Sequence, residues 1–194
     1  MFEQSKSAKR RFNIGKFHSK YFVGDGIDIG AGNDTVGNYK YVFRGIKNVR
    51  PWDMPDGDAQ YLNGINDNTF DFAVSSHSLE HMVDVNIALR NWIRVIKPGG
   101  YLVIAVPEEH MYEHNTWPSK YNDDHKWSFS VKNDSELPKS VNVMKMAIDI
   151  SDIALIEKIE VIDDFFIEDA SVSHLDQTMT PNAECAIEII FKKR

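Results

Sequence analysis

Two glycines separated by one residue follow a short apolar segment in the run Gly26-Ile27-Asp28-Ile29-Gly30-Ala31-Gly32. Glycine at both positions lets the chain turn tightly and lets the backbone approach a ligand without interference from a Cβ atom. The third glycine of a dinucleotide-binding loop is absent, and so is the Gly-Lys-Ser/Thr run of a phosphate-binding loop. Because Asp28 and Asp34 would repel a pyrophosphate, the loop favours a cationic ligand such as an ammonium or a sulfonium.

A histidine suited to proton transfer, His125, lies in the long segment of residues 107–140, which has no clear period. Histidine titrates near neutral pH, and a positioned base typically contributes about 10²–10⁴-fold to a rate. We predict His125 as the general base, with its ring oriented by Asp124 or Asp123. The reserve candidates are His110, His114 and Glu109. Since long irregular segments after a central strand of an α/β domain often contact ligands, residues 107–140 are predicted to cover the active site.

Two pairs of histidines have the i, i+4 spacing that could share a metal ion on one helix face. The pairs are His77 with His81 and His110 with His114. Neither pair lies in an H-E-x-x-H arrangement, and the sequence specifies no third ligand. We therefore predict no metal site.

Four short segments must position these residues. They are rich in β-branched or aromatic residues, are bounded by Gly, Pro, Asn or Asp, and comprise residues 26–29, 49–52, 70–75 and 101–106. The last segment is continuously apolar, as expected of a strand that is covered on both faces. Residues 84–96 place apolar side chains at helical spacing, and Lys97-Pro98-Gly99-Gly100 would end that helix. Alternating strands and helices predict a doubly wound α/β sheet.

The C-terminal part of the chain predicts a different connection. Residues 155–163 and 183–191 are strand candidates, and the segment between them contains no obvious helix, which predicts an antiparallel pair that closes the sheet. Residues 140–150 are predicted as the preceding helix with Ser140 as its cap, and their Val and Ile content leaves a strand as the alternative.

Composition limits the class of protein. The chain has 194 residues, 42% hydrophobic and 26% charged, which suits one globular domain with a sizeable core. Its longest apolar run, residues 102–106, is far short of the ~20 residues that a membrane-spanning helix needs. Cys185 is the single cysteine, and Met1 precedes a polar, basic stretch and no apolar leader, so we expect a reducing, cytoplasmic location.

Charge is distributed unevenly. Residues 1–22 form a basic N-terminal arm of net charge +5, and the remaining residues, 23–194, total −12 and are predicted to form a single domain. An acidic body is a poor surface for a phosphate backbone, so nucleic acid is not an expected partner. The arm could hold a phosphorylated ligand, pair with an acidic patch of its own domain, or be a solvated tail.

Several motifs occur in an order and at spacings that resemble the class I, Rossmann-like S-adenosylmethionine-dependent methyltransferases. They are Asp28-x-Gly30-x-Gly32, Asp53, the run of residues 58–62, the run of residues 69–74, the run of residues 76–81, and residues 89–106 with Lys97-Pro98-Gly99-Gly100. The resemblance covers roughly residues 24–106 and fades after Pro107. It implies S-adenosylmethionine as cofactor and a mostly parallel, seven-stranded sheet with an antiparallel C-terminal strand.

The resemblance also implies roles for individual residues. Asp28 would face the amino group of the methionine end, and Asp53 would accept hydrogen bonds from both ribose hydroxyls. Asp58 would accept a hydrogen bond from the exocyclic amine of adenine, and the Ala59 amide would donate one to the adenine ring. The remaining implied contacts are backbone approach at Gly30, Ala31 and Gly32, an adenine cover from Trp52 or Met54, and backbone groups of Ser76 and His77 at the methionine tail.

Residues 33–38 depart from the family because one Gly and two Asn residues make a poor helix start. We expect the first helix to be short or absent, with Lys40, Arg44 or the basic arm as sources of positive charge for the cofactor carboxylate. The acceptor is predicted to be a small polar hydroxylated molecule, such as a sugar or surface-glycan precursor, methylated on oxygen. The alternatives are N- or C-methylation of another small molecule or of a macromolecule, and a non-catalytic cofactor-binding module.

Overall fold

The computed structural model describes residues 3–169, 171–172 and 174–194. The strands are β1 Gly24–Ile29, β2 Ile46–Trp52, β3 Phe70–Ser76, β4 Ile96–Pro107, β5 Ser128–Ser130, β6 Ser140–Asn142, β7 Ala154–Ile162 and β8 Ala186–Lys193. The α-helices are α1 Glu3–Phe12, α2 Val85–Arg94 and α3 Val143–Asp149. Within this described part of the chain, no helix is both long and apolar enough to cross a bilayer.

The main sheet has six strands in the order β2-β1-β3-β4-β8-β7. Strands β1 to β4 are mutually parallel, and β8 runs antiparallel to both β4 and β7. The α/β, Rossmann-like class and the antiparallel C-terminal strand are therefore confirmed. The predicted number of seven strands is wrong by one. Residues 53–69, which join β2 to β3, are rich in Gly, Pro, Asn and Asp and form only turns and one 3-10 turn.

The apolar strand β4 lies between two layers of core. On one face, Leu102, Ile104 and Val106 pack in the cluster that includes side chains of α2 and α3. On the other face, Tyr101 and Val103 pack with the N-terminal segments. Coverage on both faces explains why the strand has no polar alternation.

Helix α2 confirms the predicted crossover helix. Asp84 caps it, because its Oδ1 accepts a hydrogen bond from the Ile87 amide at 2.9 Å. The helix ends at Arg94 and the predicted stop, residues 97–100, forms the first part of β4. The predicted cap of α3, Ser140, is wrong: Ser140 pairs with Ser128 in the small β5–β6 sheet, and Asn142 caps the helix instead.

The basic arm packs against the sheet through α1. Arg10 and Arg11 pair with Glu188 of β8, and the Arg11 guanidinium is buried. Lys6 is also buried and donates to the carbonyls of Thr178 and Ala183. Burying cations is costly unless they are paired, so these contacts explain why the arm is ordered on an acidic patch of its own domain and is not a solvated tail.

Candidate cofactor and active site

Two adjoining cavities lie at the carboxyl ends of β1, β2 and β3 and share Gly30. The β2 cavity, of about 440 Å³, is lined by Gly30, Asp53, Met54, Gly57, Asp58, Ala59, Ser78, His81, Met82 and Asp124. The α1 cavity, of about 350 Å³, is lined by Glu3, Gln4, Asp28, Gly30, Ala31, Gly32, Asn33, Asp34, Ser76 and His77. All ten residues predicted to contact a cofactor therefore line one cavity or the other, and open α/β sheets place ligands at this edge.

Gly30 lines both cavities, and a side chain at this position would collide with Ser78. The φ of Gly30 is +73°, and a Cβ atom would lie 1.8 Å from the Oγ of Ser78. The amides of Gly30 and Ala31 both donate to the carbonyl of Trp52, at 2.9 and 3.2 Å, which holds the loop against the end of β2. The glycine therefore keeps the floor between the cavities open.

Asp53 connects the glycine loop to the end of β2. Its Oδ2 accepts from the Gly32 amide at 2.9 Å and its Oδ1 accepts from the Met54 amide at 2.8 Å. Met54 is 89% exposed at the rim of the β2 cavity, whereas Trp52 is buried and donates from Nε1 to the carbonyl of Gly57. Of the two predicted adenine covers, only Met54 lines the cavity.

Asp58 and Ala59 follow on the other side of the β2 cavity. The Asp58 Oδ1 accepts from the amide of Gln60 at 2.8 Å, which fixes the turn. The Ala59 carbonyl accepts from Nε1 of Trp92, at 2.8 Å, and so ties this turn to helix α2. Both residues are thus held from the core side while they line the cavity.

Asp28 is a buried carboxylate in the α1 cavity. It accepts from the Val36 amide at 2.6 Å, and burial raises its pKa to about 6. Val36 begins the single 3-10 turn, Val36–Tyr39, that stands where the family has its first helix, so the expected weak helix is confirmed. Lys40 donates to the carbonyl of Lys47. The arm contributes Glu3 and Gln4 to the cavity, which the sequence did not predict.

Ser76 and His77 lie where β3 ends. His77 has a φ of +53°, and its amide donates to the carbonyl of Ala105 at 2.9 Å. Burial lowers the pKa of its imidazole to about 3. The buried Ser76 Oγ has no hydrogen-bond partner among the described residues, so it is available to a ligand.

His125 is buried, and the predicted orientation of its ring by Asp124 or Asp123 is wrong. Its Nδ1 lies 2.7 Å from Oε1 of Glu113, a residue that the sequence did not single out. Asp124 instead lies 2.9 Å from Nδ1 of His81. Adjacent residues point in different directions, so Asp124 reaches the β2 cavity while His125 points inward.

The structure does not bring His110 to either cavity. Its Nδ1 lies 3.0 Å from Nδ2 of Asn115, and it lines a separate cavity with Glu108, Glu109 and Ser130. Two residues of the segment 107–140 contact this region, and the predicted cover over an active site stays a prediction. The amide of Lys126 donates to the Glu80 carbonyl at 2.8 Å, and Asp124 lines the β2 cavity.

Glu80, in the run of residues 76–81, lies behind His81. Its side chain is completely buried, and its two carboxylate oxygens have no hydrogen-bond partner among the described residues. Burial, together with the nearby carboxylates of Glu113 and Glu3, raises its pKa to about 8. A buried carboxyl group with so high a pKa and no hydrogen-bond partner is more typical of functional sites than of ordinary protein cores.

Comparisons with known proteins give a sequence match over part of the chain and a fold match over nearly all of it. The family model described as a methyltransferase domain matches residues 16–104. A ubiquinone/menaquinone biosynthesis C-methyltransferase of Cellvibrio japonicus (strain Ueda107) is 38% identical over 97 residues, which are 50% of this chain and 36% of that protein. The chain thus matches about a third of the length of that relative.

Two solved structures have the same fold. An S-adenosylmethionine-dependent methyltransferase from Archaeoglobus fulgidus has a TM-score of 0.60 at 18% identity, with 100% of this chain and 95% of that chain covered. A putative S-adenosylmethionine-dependent methyltransferase from Listeria monocytogenes has a TM-score of 0.57 at 11% identity, with 97% and 100% covered. Residues 16–104 of the chain thus match a methyltransferase domain, and the chain has the fold of these solved S-adenosylmethionine-dependent methyltransferases.

Proposed function

We propose that this chain holds S-adenosylmethionine across the two cavities and methylates a hydroxyl group of a small polar acceptor, such as a sugar or a surface-glycan precursor. The observation that carries the proposal is the shared position of Gly30, which lines both cavities. The nucleoside would occupy the β2 cavity, and the methionine moiety would occupy the α1 cavity.

The residues present fit this cofactor. The absence of a Cβ atom at Gly30 leaves room for a ligand, and the unpartnered Oγ of Ser76 can donate or accept a hydrogen bond. Negative charge comes from Asp28 and Asp53. Carboxylates suit both the ribose hydroxyls and the ammonium of the methionine end. The bound cofactor would supply an electrophilic methyl group on a positively charged sulfur.

The protein contributes mainly position. A well-oriented pair of reactants reaches an effective molarity of up to about 10⁵–10⁸ M, so holding an acceptor in line with the methyl group accounts for much of the rate. A hydroxyl acceptor must also lose its proton. His81, whose Nε2 lies 3.9 Å from the buried Glu80, lines the β2 cavity together with Asp124, so we assign proton handling to this wall. His125 lies directly behind it, with its ring centroid 4.9 Å from that of His81.

One observation favours a second candidate. The Cellvibrio relative is named as a C-methyltransferase, which supports a carbon acceptor for this chain as the alternative.

A single assay separates the candidates. The chain is incubated with S-adenosylmethionine carrying a carbon-13 methyl group and with separate sets of sugar, phenol and quinone-type acceptors. A carbon-13 resonance of an O-methyl group on a sugar is the expected result. A C-methyl resonance on a ring would favour the second candidate. If the chain binds S-adenosylhomocysteine in calorimetry but no acceptor set leads to methyl transfer, the result would favour the binding module.

A further inference from the structure

Three side chains behind the β2 cavity converge on one point. Nε2 of His81 and Nε2 of His125 each lie 3.9 Å from the same oxygen, Oε1 of Glu80. One ligand atom from each of the three side chains lies within 4.8 Å of the other two. A separation of 3.9 Å is too long for a hydrogen bond, so none of these atoms satisfies another directly. Glu80 is consequently a buried carboxylate that faces two imidazole nitrogens across a gap.

The outer nitrogens of both imidazoles are already held. Nδ1 of His125 lies 2.7 Å from Glu113, and Nδ1 of His81 lies 2.9 Å from Asp124. A carboxylate on the far nitrogen fixes the tautomer in which Nδ1 carries the proton, and this leaves the lone pair of Nε2 directed at Glu80. The same carboxylate–histidine arrangement orients the ligands of protein metal sites.

The buried acidic side chain of Glu80 also lacks a cationic partner among the described residues. Among the described residues, Glu80 has no ion pair with a lysine or arginine, and Oε2 of Glu113 has no hydrogen-bond partner either. The backbone amide of Lys126 donates to the Glu80 carbonyl, but the side chain of Lys126 pairs with Asp124 at 3.3 Å on the outside. Buried carboxylates persist when they are paired or coordinate a metal.

We propose that Glu80, His81 and His125 form a site for a divalent transition-metal ion of the zinc type, with Glu113 and Asp124 holding the two histidines in place. Two imidazoles and one carboxylate are a common zinc ligand set with one open position. Ligand bonds of about 2.1 Å in a tetrahedron put ligand atoms about 3.4 Å apart. The two 3.9 Å gaps to Glu80 would therefore contract by about half an ångström when an ion binds, and the ligand atoms of His81 and His125, which lie within 4.8 Å of each other, would also move together.

This set differs from the histidine pairs that the sequence suggested. His77 Nδ1 also lies 3.9 Å from Oε1 of Glu80, but His77 is not part of the group whose ligand atoms all lie within 4.8 Å. The distant His125 takes the place of the i, i+4 partner. The fourth position would be left for water or for an acceptor hydroxyl, whose pKa a zinc-type ion lowers. Only this last role rests on the proposed function.

The test is titration of the full chain, stripped with EDTA and dialysed, with Zn²⁺ by calorimetry and with Co²⁺ by visible absorption. We expect one ion per chain and intense Co²⁺ bands of a tetrahedral site. Glu80→Gln and His125→Ala should abolish saturable binding, and Glu113→Gln and Asp124→Asn should each weaken it about 10–100-fold, the usual cost of losing an outer partner. His110→Ala is the matched control and should bind as the unchanged chain does.

A second measurement guards against variants that do not fold. Zn²⁺ should raise the melting temperature of the unchanged chain and of His110→Ala, because an ion that binds the folded state stabilises that state against unfolding. It should not raise the melting temperature of Glu80→Gln, which lacks one ligand. Absence of one-to-one binding, or equal binding by Glu80→Gln, would overturn the site. S-adenosylhomocysteine binding is measured in EDTA alongside. Its loss with Zn²⁺ binding intact would count against the proposed function alone, and the reverse would count against the metal site alone.

Discussion

The Oδ2 of Asp53 accepts a hydrogen bond from the amide of Gly32 at 2.9 Å, and this contact links the ends of β1 and β2 at the rim of the β2 cavity. The other carboxylate oxygen accepts from the Met54 amide. Each carboxylate oxygen has a second lone pair, so Asp53 can hold the glycine loop and bind ribose hydroxyls at the same time.

Replacing this carboxylate should weaken cofactor binding. Asp53→Ala loses both the charged acceptor and the contact to Gly32, so we expect S-adenosylhomocysteine affinity to fall at least about tenfold, as for a charge-assisted hydrogen bond of about 1.5–3 kcal/mol. Asp58→Ala should lower the affinity by a similar factor. Calorimetry is the measurement, and Asp152→Asn, on the exposed surface pair with Arg90, is the control. Unchanged affinity in both cavity variants would contradict the assignment of the site.

Gly30→Ala should be more harmful than the same change at another glycine of left-handed conformation. Gly30 and Gly64 have φ values of +73° and +85°, but a new Cβ would meet Ser78 Oγ at 1.8 Å at Gly30 and open space at Gly64. Both variants carry the backbone strain of about 1–3 kcal/mol, whereas only Gly30→Ala obstructs the cavities. We expect Gly64→Ala to bind S-adenosylhomocysteine normally and Gly30→Ala to lose binding. If both variants fold and bind S-adenosylhomocysteine equally well, the cofactor cannot pass from one cavity to the other at Gly30.

Cofactor affinity should depend on pH through Asp28. Burial raises the pKa of Asp28 to about 6, so the carboxylate that attracts the cofactor ammonium is protonated as the pH falls below that value. Affinity should therefore drop about tenfold between pH 7.5 and pH 5, the effect of one pH unit below the pKa. Asp28→Asn should bind weakly with little dependence on pH. The comparison is made by calorimetry in both proteins, and a parallel decline in both would show that another group titrates.

Stability should depend on Glu188. Burial alone would raise the pKa of this carboxyl, but Arg11, Arg10 and Lys158 outweigh that effect and hold it below its ordinary value. Because the folded-state pKa is lowered, the stabilisation is present at neutral pH and is lost as the pH falls below the ordinary value of a glutamate. Glu188→Gln leaves the buried Arg11 unpaired and should cost about 3–5 kcal/mol in the free energy of unfolding.

Urea unfolding at pH 7 measures this cost. The surface pair of Arg90 and Asp152 supplies the control, since Asp152→Asn should cost at most about 1 kcal/mol. A loss at Glu188→Gln no larger than at Asp152→Asn would mean that α1 is not anchored by this carboxylate.

The positions of the candidate cofactor residues could be predicted because they depend on strand order alone. Asp28, Gly30, Asp53 and Ser76 all follow or end segments with clear strand signals, and parallel strands bring their carboxyl ends to one edge. The side chains around His125 could not be predicted. Glu113 and His125 are twelve residues apart in a segment without a period, so no spacing rule relates them.

The strand count and the contacts of the N-terminal arm could not be predicted for other reasons. A seven-stranded sheet was carried over from the family, but the residues between Trp52 and Phe70 favour turns over a strand. The arm showed its charge but not its partners, since Arg11 and Glu188 are separated by 177 positions. Such a contact depends on how the whole sheet closes.

Helix α1 supplies Glu3 and Gln4 to the α1 cavity, yet its anchors, Glu184 and Glu188, belong to the far end of the chain. Contacts this distant along the sequence form late, because a long loop must close before they can contribute. One wall of the binding cleft should therefore be assembled in the last stage of folding. A folding intermediate that already has its central strands would still lack the wall that faces the proposed site of the methionine moiety.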